Sequence, residues 1–320
     1  MKRILVTGGS GFIGSNFVDY VIEKTDWEIV NLSRHTYAMN PRILEHLEKT
    51  KRYKFVAGNI TDAALVMDLM KGVDSVVHFA AETHVDRSFI YPGDFLTTNL
   101  LGTFTVLEVL RHLKKKPKLI QMSTDEVFGD VPKGYCKEDD LVKPRNPYSA
   151  SKASAEMYCN AYFHSFKVPV IIARSMNNFG PRQHPEKLIA KMITRCLSNT
   201  SFTLFKGGSV RGWIYVKDTS DAILTILENG EPGETYHIPP DAYLTVPEVA
   251  ETILKLTNKQ DLFQGYKGTR LKDDERYALD STKMTYDLRW RPKTSFDSGI
   301  KETIEWYRQN EWFWKNVESP

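Results

Sequence analysis

The sequence predicts an α/β fold: a doubly wound parallel sheet with a smaller, interleaved C-terminal lobe. Three observations predict it. Six short apolar runs recur up to residue 173, and segments of helical periodicity separate most of them. A glycine-rich turn, Thr7-Gly8-Gly9-Ser10-Gly11-Phe12-Ile13-Gly14, joins the first run to the first helix. Beyond residue 175 the alternation weakens, interrupted by Gly180-Pro181 and His184-Pro185. Strands that alternate with helices imply parallel pairing, because a parallel connection needs a crossover.

The elements follow in order. Ile4-Leu5-Val6 reads as a buried strand, and Phe12, Ile13, Phe17, Val18, Val21 and Ile22 then recur at helical spacing. Further strands are expected at 28–32, 53–58, 75–80, 118–123 and 168–173. A helix near 187–198, a short strand at 202–205 and a Gly207-Gly208 turn come next. The helix expected at 215–227 packs back on the first domain. The aromatic C-terminus (Trp290, Trp306, Tyr307, Trp312, Phe313, Trp314) reads as lobe packing. The expected division is a dinucleotide-binding domain of residues 1–175, joined by 212–238, and a substrate lobe of 176–211 and 239–320.

Composition sets the bounds. A chain of 320 residues holds two domains, or one large fold with an appended lobe. With 41% hydrophobic and 26% charged residues it is neither disordered nor collagen-like. Lys+Arg at 43 against Asp+Glu at 40 is too even to mark a nucleic-acid or membrane-surface protein. Cys136, Cys159 and Cys196 are widely spaced and odd in number. They make neither a disulfide framework nor a metal-ligand set, so a reducing, cytoplasmic setting without a metal is expected. No signal peptide is expected, and no apolar stretch reaches the ~18 residues of a membrane span.

The glycine-rich turn supplies the first chemistry. Glycines let the backbone turn tightly and approach a pyrophosphate, and the helix start offers free N–H groups and partial positive charge. Gly14 lets the helix pack close to the sheet. A glycine string alone is a weak signal; after the first strand of a βαβ series it indicates a Rossmann-type dinucleotide site.

Two further motifs lie where strands end. Ser123-Thr124-Asp125-Glu126 follows the fifth strand, where parallel strands line the ligand crevice. Tyr148-Ser149-Ala150-Ser151-Lys152 opens an Ala-rich helix, and residues four apart share a helix face. A nearby ammonium and a cofactor cation are expected to lower the Tyr148 pKa from its reference near ~10. That makes a base able to take a hydroxyl proton as hydride leaves the same carbon. Singly, each motif has a bland reading: Tyr-x-x-x-Lys occurs by chance, and Asp-Glu is usually a solvated turn. Their order behind a dinucleotide loop favours catalysis.

With these residues the chain resembles the extended short-chain dehydrogenase/reductase superfamily over essentially its whole length. Within it, the chain looks most like the nucleotide-sugar 4,6-dehydratases. The carrying segments are Thr7–Gly14, Phe79–Ser88, Thr98-Asn99, Ser123–Gly129, Tyr148–Lys152, Arg174–Pro181 and Pro185–Ile189. Arg276-Tyr277, Trp290-Arg291-Pro292 and Glu305-Trp306-Tyr307 also fit. The resemblance implies the following roles. Tyr148, with Lys152, deprotonates the sugar 4-hydroxyl while C4 hydride passes to the nicotinamide, and Thr124 bonds the C4 oxygen. Glu126 takes the C5 proton and Asp125 protonates the departing C6 hydroxyl; two carboxyls in opposite protonation states suit that division. Water leaves, then hydride returns to C6 and a proton to C5, giving a 4-keto-6-deoxy sugar and regenerating a tightly bound cofactor. Cofactor contacts are implied for Gly8, Gly11, Phe12, Ile13, Gly14, Ser33, Arg34, Asn59, Ile60, Ala80, Ala81, Thr83, Asn99, Ser123, Tyr148 and Lys152. Substrate contacts are implied for Thr124, Asn177, Lys187, Leu188, Arg211 and Arg270, with His84 either a sugar-pocket residue or a structural one.

Departures from the family pattern narrow the reading. Asn59 stands where an Asp is common, Gly212 follows Arg211 in place of Asp, and Leu271-Lys272-Asp273 replaces a Pro-Gly-His segment. dTDP-glucose, UDP-glucose and UDP-N-acetylglucosamine all stay open as substrates, as do both outcomes at C5. An epimerase or decarboxylase on the same scaffold is the alternative. A non-catalytic cofactor-binding sensor is the reading from another class. The second strand ends in Ser33-Arg34 rather than the acid that selects NAD. A neutral hydroxyl and a guanidinium fork favour the 2′-phosphate of NADP on physical grounds, although the resemblance implies NAD. A homodimer is expected, because Leu100, Phe104, Leu107, Leu110, Met157, Tyr158, Tyr162 and Phe163 exceed one narrow apolar stripe on their helices.

Overall fold

The computed structural model describes residues 1–37, 39–205, 208–268, 274–315 and 317. The first βαβ units are β1 (Arg3–Thr7), α1 (Phe12–Lys24), β2 (Glu28–Ser33), β3 (Tyr53–Ala57), α2 (Ala63–Met70) and β4 (Ser75–His78). Next come α3 (Val85–Ile90), α4 (Pro92–Phe95), a π-helical stretch over Leu96–Leu101, α5 (Gly102–His112), β5 (Lys118–Thr124), α6 (Pro147–Phe166) and β6 (Val170–Ser175). The remainder contains β7 (Asn177–Phe179), α7 (Leu188–Leu197), β8 (Phe202–Phe205), β9 (Val210–Tyr215), α8 (Val216–Asn229), β10 (Thr235–His237) and β11 (Ala242–Thr245). It ends with α9 (Val246–Thr257), β12 (Phe263–Lys267), α10 (Thr282–Asp287), α11 (Phe296–Gln309) and α12 (Glu311–Trp314).

Seven strands form the main sheet in the order β10-β6-β5-β4-β1-β2-β3, all parallel. Successive residues of β1 serve opposite faces. Ile4 and Val6 join the cluster that includes Phe17 and Ile223, whereas Leu5 joins Val76, Leu107 and Leu119. Both faces are thus covered, which is why these strands read as unbroken apolar runs rather than alternating ones. The order reverses at β1, so the crevice beyond the carboxyl ends of β1 and β4 is the ligand position of this architecture. Beyond residue 175 the chain does not simply leave the sheet. α8 packs against α1, and β10 pairs with β6. The other strands form two small sheets, β11-β9-β7 and β12-β8. Among the described residues, no helix is long and apolar enough to cross a membrane.

Candidate active site

The phosphate loop needs its glycines. Gly8 has φ +72°, and a Cβ there would stand 2.6 Å from the Ala80 backbone nitrogen. A Cβ on Gly14 would collide with the Gly8 carbonyl as α1 starts. Gly11 caps α1 without a side chain, and Phe12 and Ile13 open the helix. This cradle of backbone at a helix start fits a dinucleotide pyrophosphate. Thr7 and His78, at the tips of β1 and β4, are joined by a 2.5 Å Oγ1···Nδ1 bond. Thr103 Oγ1 donates to the Asn99 carbonyl, so it accepts from His78 Nε2–H at 3.2 Å. Burial and the nearby Lys152 charge push the His78 pKa down to about 3, so the ring is neutral and, with its proton on Nε2, accepts at Nδ1 from Thr7 Oγ1.

Around the crevice, the Ala80 N–H points to Thr7 Oγ1 at 3.5 Å, and Ala81 is half-buried. Asn59 accepts from the Thr61 N–H, and Ile60 is buried against Gly102. Asn99 lies in the π-helical stretch. It clamps Glu82 by accepting from its N–H (2.8 Å) and donating to its carbonyl (3.0 Å).

At the tip of β2, Ser33 does not present a free hydroxyl. Its Oγ accepts from the Ser10 N–H (3.1 Å) and donates to Asn31 Oδ1 (2.9 Å). Arg34 reaches Glu82. Both donors expected to face a 2′-phosphate are thus engaged within the protein.

The catalytic candidates converge. Asn146 caps α6 in a reciprocal capping box with Ser149, and Pro147 fills the first turn, so Tyr148 is fixed at the helix start. Asn146 Nδ2 also donates to Glu126 Oε2 at 3.2 Å. The sequence reading missed this residue, although Asn-Pro-x-Ser before a helix is a capping signal. Thr124 Oγ1 donates to Asp125 Oδ1 at 2.9 Å and also hydrogen-bonds towards Tyr148. Lys152 is buried, and its ammonium donates to the Met122 carbonyl at 2.6 Å.

Titration differs from the sequence expectation at one point. Burial, and then the Glu126 charge, raise the Tyr148 pKa; they do not lower it. Burial also takes Lys152 down to about 8, against the pull of the Glu156 carboxylate. The acids move upward. Burial brings Asp125 to about 6, opposed by the Thr124 hydrogen bond and by Arg211. Burial and the adjacent Asp125 bring Glu126 to about 7. Asp125 Oδ2 and Ser123 Oγ are buried polar atoms without a protein partner. They fit a site shaped for a polar guest.

On the substrate side, Arg211 sits over the Tyr277 ring at 4.5 Å and donates to the Asp274 carbonyl at 2.7 Å. Its charge reaches both acids. Lys187 Nζ donates to the Thr83 carbonyl, Leu188 begins α7, and Asn177 begins β7. His84 caps α3, its Nδ1 accepting from the Arg87 N–H, and its Nε2 lies 3.9 Å from Glu186. Arg270 and 271–273 lie outside the described residues.

A dinucleotide cradle, a buried Tyr–Lys pair and two adjacent carboxyls with raised pKa define the class: an enzyme of the extended short-chain dehydrogenase/reductases. The GDP-mannose 4,6 dehydratase family model matches residues 5–303. The chain is 41% identical over 305 residues to the low-salt glycan biosynthesis protein Agl12 of Haloferax volcanii, covering 95% of this chain and 98% of that one. It is 39% identical over 327 residues to human dTDP-D-glucose 4,6-dehydratase, covering 99% and 93%. The structure of dTDP-glucose 4,6-dehydratase from Bacillus anthracis in complex with NAD superposes with a TM-score of 0.92 at 38% identity, covering 99% and 100%. The chain belongs to the GDP-mannose 4,6 dehydratase family, and within it the activity is nucleotide-sugar 4,6-dehydration with a nicotinamide cofactor.

Proposed function

We propose that the protein converts dTDP-glucose to its 4-keto-6-deoxy product, using NAD that stays bound through turnover. The observation that carries the dehydration is the acid pair beside Tyr148, with Asp125 buried and Glu126 half-buried, both carboxyls raised above their ordinary range. Simple epimerisation at C4 has no use for two such carboxyls. The choice of dTDP-glucose rests on the relatives named above, and the choice of NAD on the B. anthracis complex and the engaged Ser33 and Arg34.

A nicotinamide held by the Gly8–Gly14 loop would supply the hydride acceptor for C4 and the hydride donor for C6. Tyr148 takes the 4-hydroxyl proton, with the Lys152 ammonium and the cofactor's positive charge offsetting the burial that otherwise holds the phenol protonated. Thr124 turns its one hydroxyl hydrogen from Asp125 to the C4 oxygen when the sugar is bound. The 4-ketone acidifies C5–H, Glu126 removes that proton, and Asp125 gives one to the C6 hydroxyl, which leaves as water; when C6 has received hydride, Glu126 returns the proton to C5. Arg211 and Lys187, with Asn177, Leu188 and Arg270, receive the nucleotide diphosphate, and His84 borders the sugar. The glycines from Gly8 to Gly14, with Asn59, Ile60, Ala80, Ala81, Thr83, Asn99 and Ser123, hold the dinucleotide. Residues 1–175 with 212–238 form the cofactor domain, and 176–211 with 239–320 the sugar lobe. The working unit is a homodimer in the cytoplasm, where Cys136, Cys159 and Cys196 stay free thiols.

The test is a panel of dTDP-glucose, UDP-glucose, UDP-N-acetylglucosamine and GDP-mannose read by mass spectrometry. dTDP-glucose should turn over fastest to a product lighter by about 18 mass units, one water. Mass-neutral conversion of every active substrate would overturn the dehydration. Faster turnover of another nucleotide sugar would overturn the substrate.

A further inference from the structure

We propose that Glu82 sets the choice between NAD and NADP by holding the Arg34 guanidinium with a fixed carboxylate. The inference rests on the reading that the resident dinucleotide is NAD. The tip of β2 lacks the acid that would normally meet the adenosine ribose and instead offers Ser33 and Arg34. Left to themselves, a guanidinium and a hydroxyl would attract a 2′-phosphate. The structure supplies an acid from elsewhere. Glu82, in the loop after β4, places Oε1 3.2 Å from Arg34 Nη2.

The acid is the anchored partner. The Glu82 side chain is 16% exposed against 48% for Arg34. Its peptide is held on both sides by the Asn99 amide, which also donates to Ser151 Oγ at 2.9 Å. Ser151 precedes Lys152 in α6, so the Glu82 backbone is tied to the helix that carries the Tyr–Lys pair. Arg87 is a second cation near Glu82, while Asp94 and Glu186 oppose its charge. A 2′-phosphate that captured Arg34 would leave Glu82 partly desolvated and without its nearest cation. It would also bring a dianion close to that carboxylate. The penalty falls on the Glu82 side, because Arg34 is half exposed and water can replace its partner while the carboxylate is the desolvated member of the pair. The Ser33 hydroxyl, bonded to Ser10 and Asn31, offers no compensation. Glu82 thus takes the place of an acid at the end of β2 while approaching from the opposite side of β1.

The experiment incubates the purified protein with an equimolar excess of NAD and NADP. Free nucleotide is then removed, the protein denatured, and the released dinucleotides quantified by mass. Wild type should release mostly NAD. Glu82→Gln keeps the side-chain shape and the peptide that Asn99 clamps, yet removes the negative charge that faces the guanidinium. The NADP-to-NAD ratio should then rise about tenfold, the scale of one charge-assisted hydrogen bond. Arg34→Leu is a separate arm: it leaves Glu82 facing the crevice alone, and the ratio should fall below that of wild type. An unchanged ratio in Glu82→Gln, or a raised one in Arg34→Leu, overturns the role of Glu82 while leaving the NAD reading in place. A wild type that releases mostly NADP overturns both.

Discussion

Asp125 and Glu126 act at a pH set by their shared burial. Adjacent carboxyls in a poorly solvated corner repel each other when both are ionised, so the pair is best described as holding one proton between them near neutrality. The proposed division of labour needs that single proton on Asp125 and the charge on Glu126, the reverse of the order in which the two titrate in the free protein, so it requires substrate binding to shift the proton from Glu126 to Asp125. Below about 6 both carry protons and the base is lost; above about 7 neither does and the acid is lost. A bell-shaped kcat profile centred between those values is expected, and a flat profile over that range would contradict the pair's role. Glu126→Gln should still allow substrate to reduce the bound nicotinamide, seen by its near-ultraviolet absorbance. Product formation should fall at least about 100-fold, the usual weight of a general base. Asp125→Asn should slow water loss while leaving substrate binding nearly unchanged. Both variants dehydrating at the wild-type rate would refute the assignment. The raised value also bears on stability. Glu126 titrates higher in the fold than its reference of 4.5, so the folded state binds more protons between that value and about 7. Stability is therefore lost as pH rises through that window. Glu126→Gln should unfold at a higher temperature than wild type at about pH 8, and this gain should vanish near about pH 4.

Helix α6 carries the Tyr–Lys pair, and it is fastened at two levels. Its start is fixed by Asn146 and Pro147. One turn beyond Lys152, Glu156 forms a buried ion pair with Arg174 of β6, with bonds of 2.7, 3.0 and 3.3 Å. Arg174 also donates to the Glu138 carbonyl and to His237 Nε2 in β10. His237 can accept because its Nδ1–H is given to the Asp280 carbonyl, and burial holds the ring neutral, at about 3. Glu156→Ala would strand a buried guanidinium and remove the charge that supports Lys152 protonation. A loss of about 3–5 kcal/mol in urea unfolding is expected; a loss under about 1 kcal/mol would show that the pair is not a structural tie. The ion pair was not legible in the sequence, since Glu156 and Arg174 belong to elements with no pattern linking them. What was legible follows from burial on both faces. Apolar runs marked β1 to β6 to within two residues at either end, and they marked β8. β7 and β10 have three residues each, too few for any period to show, and β10 nonetheless completes the main sheet. The acids and the Tyr–Lys motif could be placed from sequence because they sit at strand and helix ends, after β5 and at the start of α6. The direction of the Tyr148 shift was missed because it depends on what surrounds the phenol, not on the lysine four residues on. The engagement of Ser33 and Arg34 was missed because Asn31, Ser10 and Glu82 meet only in the fold.

At the scale of the whole molecule, the proposed dimer depends on which helix faces look outward. Leu107 and Leu110 do not: they lie in the core shared with α2 and the sheet. The outward apolar residues are Leu96 and Leu101 before α5 and Met157 and Tyr158 of α6, with Phe89 and Ile90 of α3 alongside. Leu101 is 46% exposed and Met157 57%. Phe104 and Tyr158 stack edge-on, their centroids 6.0 Å apart, and bridge the two helices into one apolar surface. Exposed apolar surface of this kind on neighbouring helices suits a self-complementary contact, the commonest form of closed assembly. The same helices carry the site on their other sides: Asn99 lies just before α5, and Tyr148 and Lys152 lie in α6. Pairing across this face would therefore stiffen the elements that position both cofactor and base. Light scattering at micromolar concentration should give twice the chain mass of 36.7 kDa for wild type. Leu101→Glu with Met157→Glu should give the chain mass itself, because two carboxylates placed at an apolar twofold contact meet their own copies without partners. A wild-type monomer would reject the dimer. A double variant that stays dimeric would move the contact to another face and sever its link to α6.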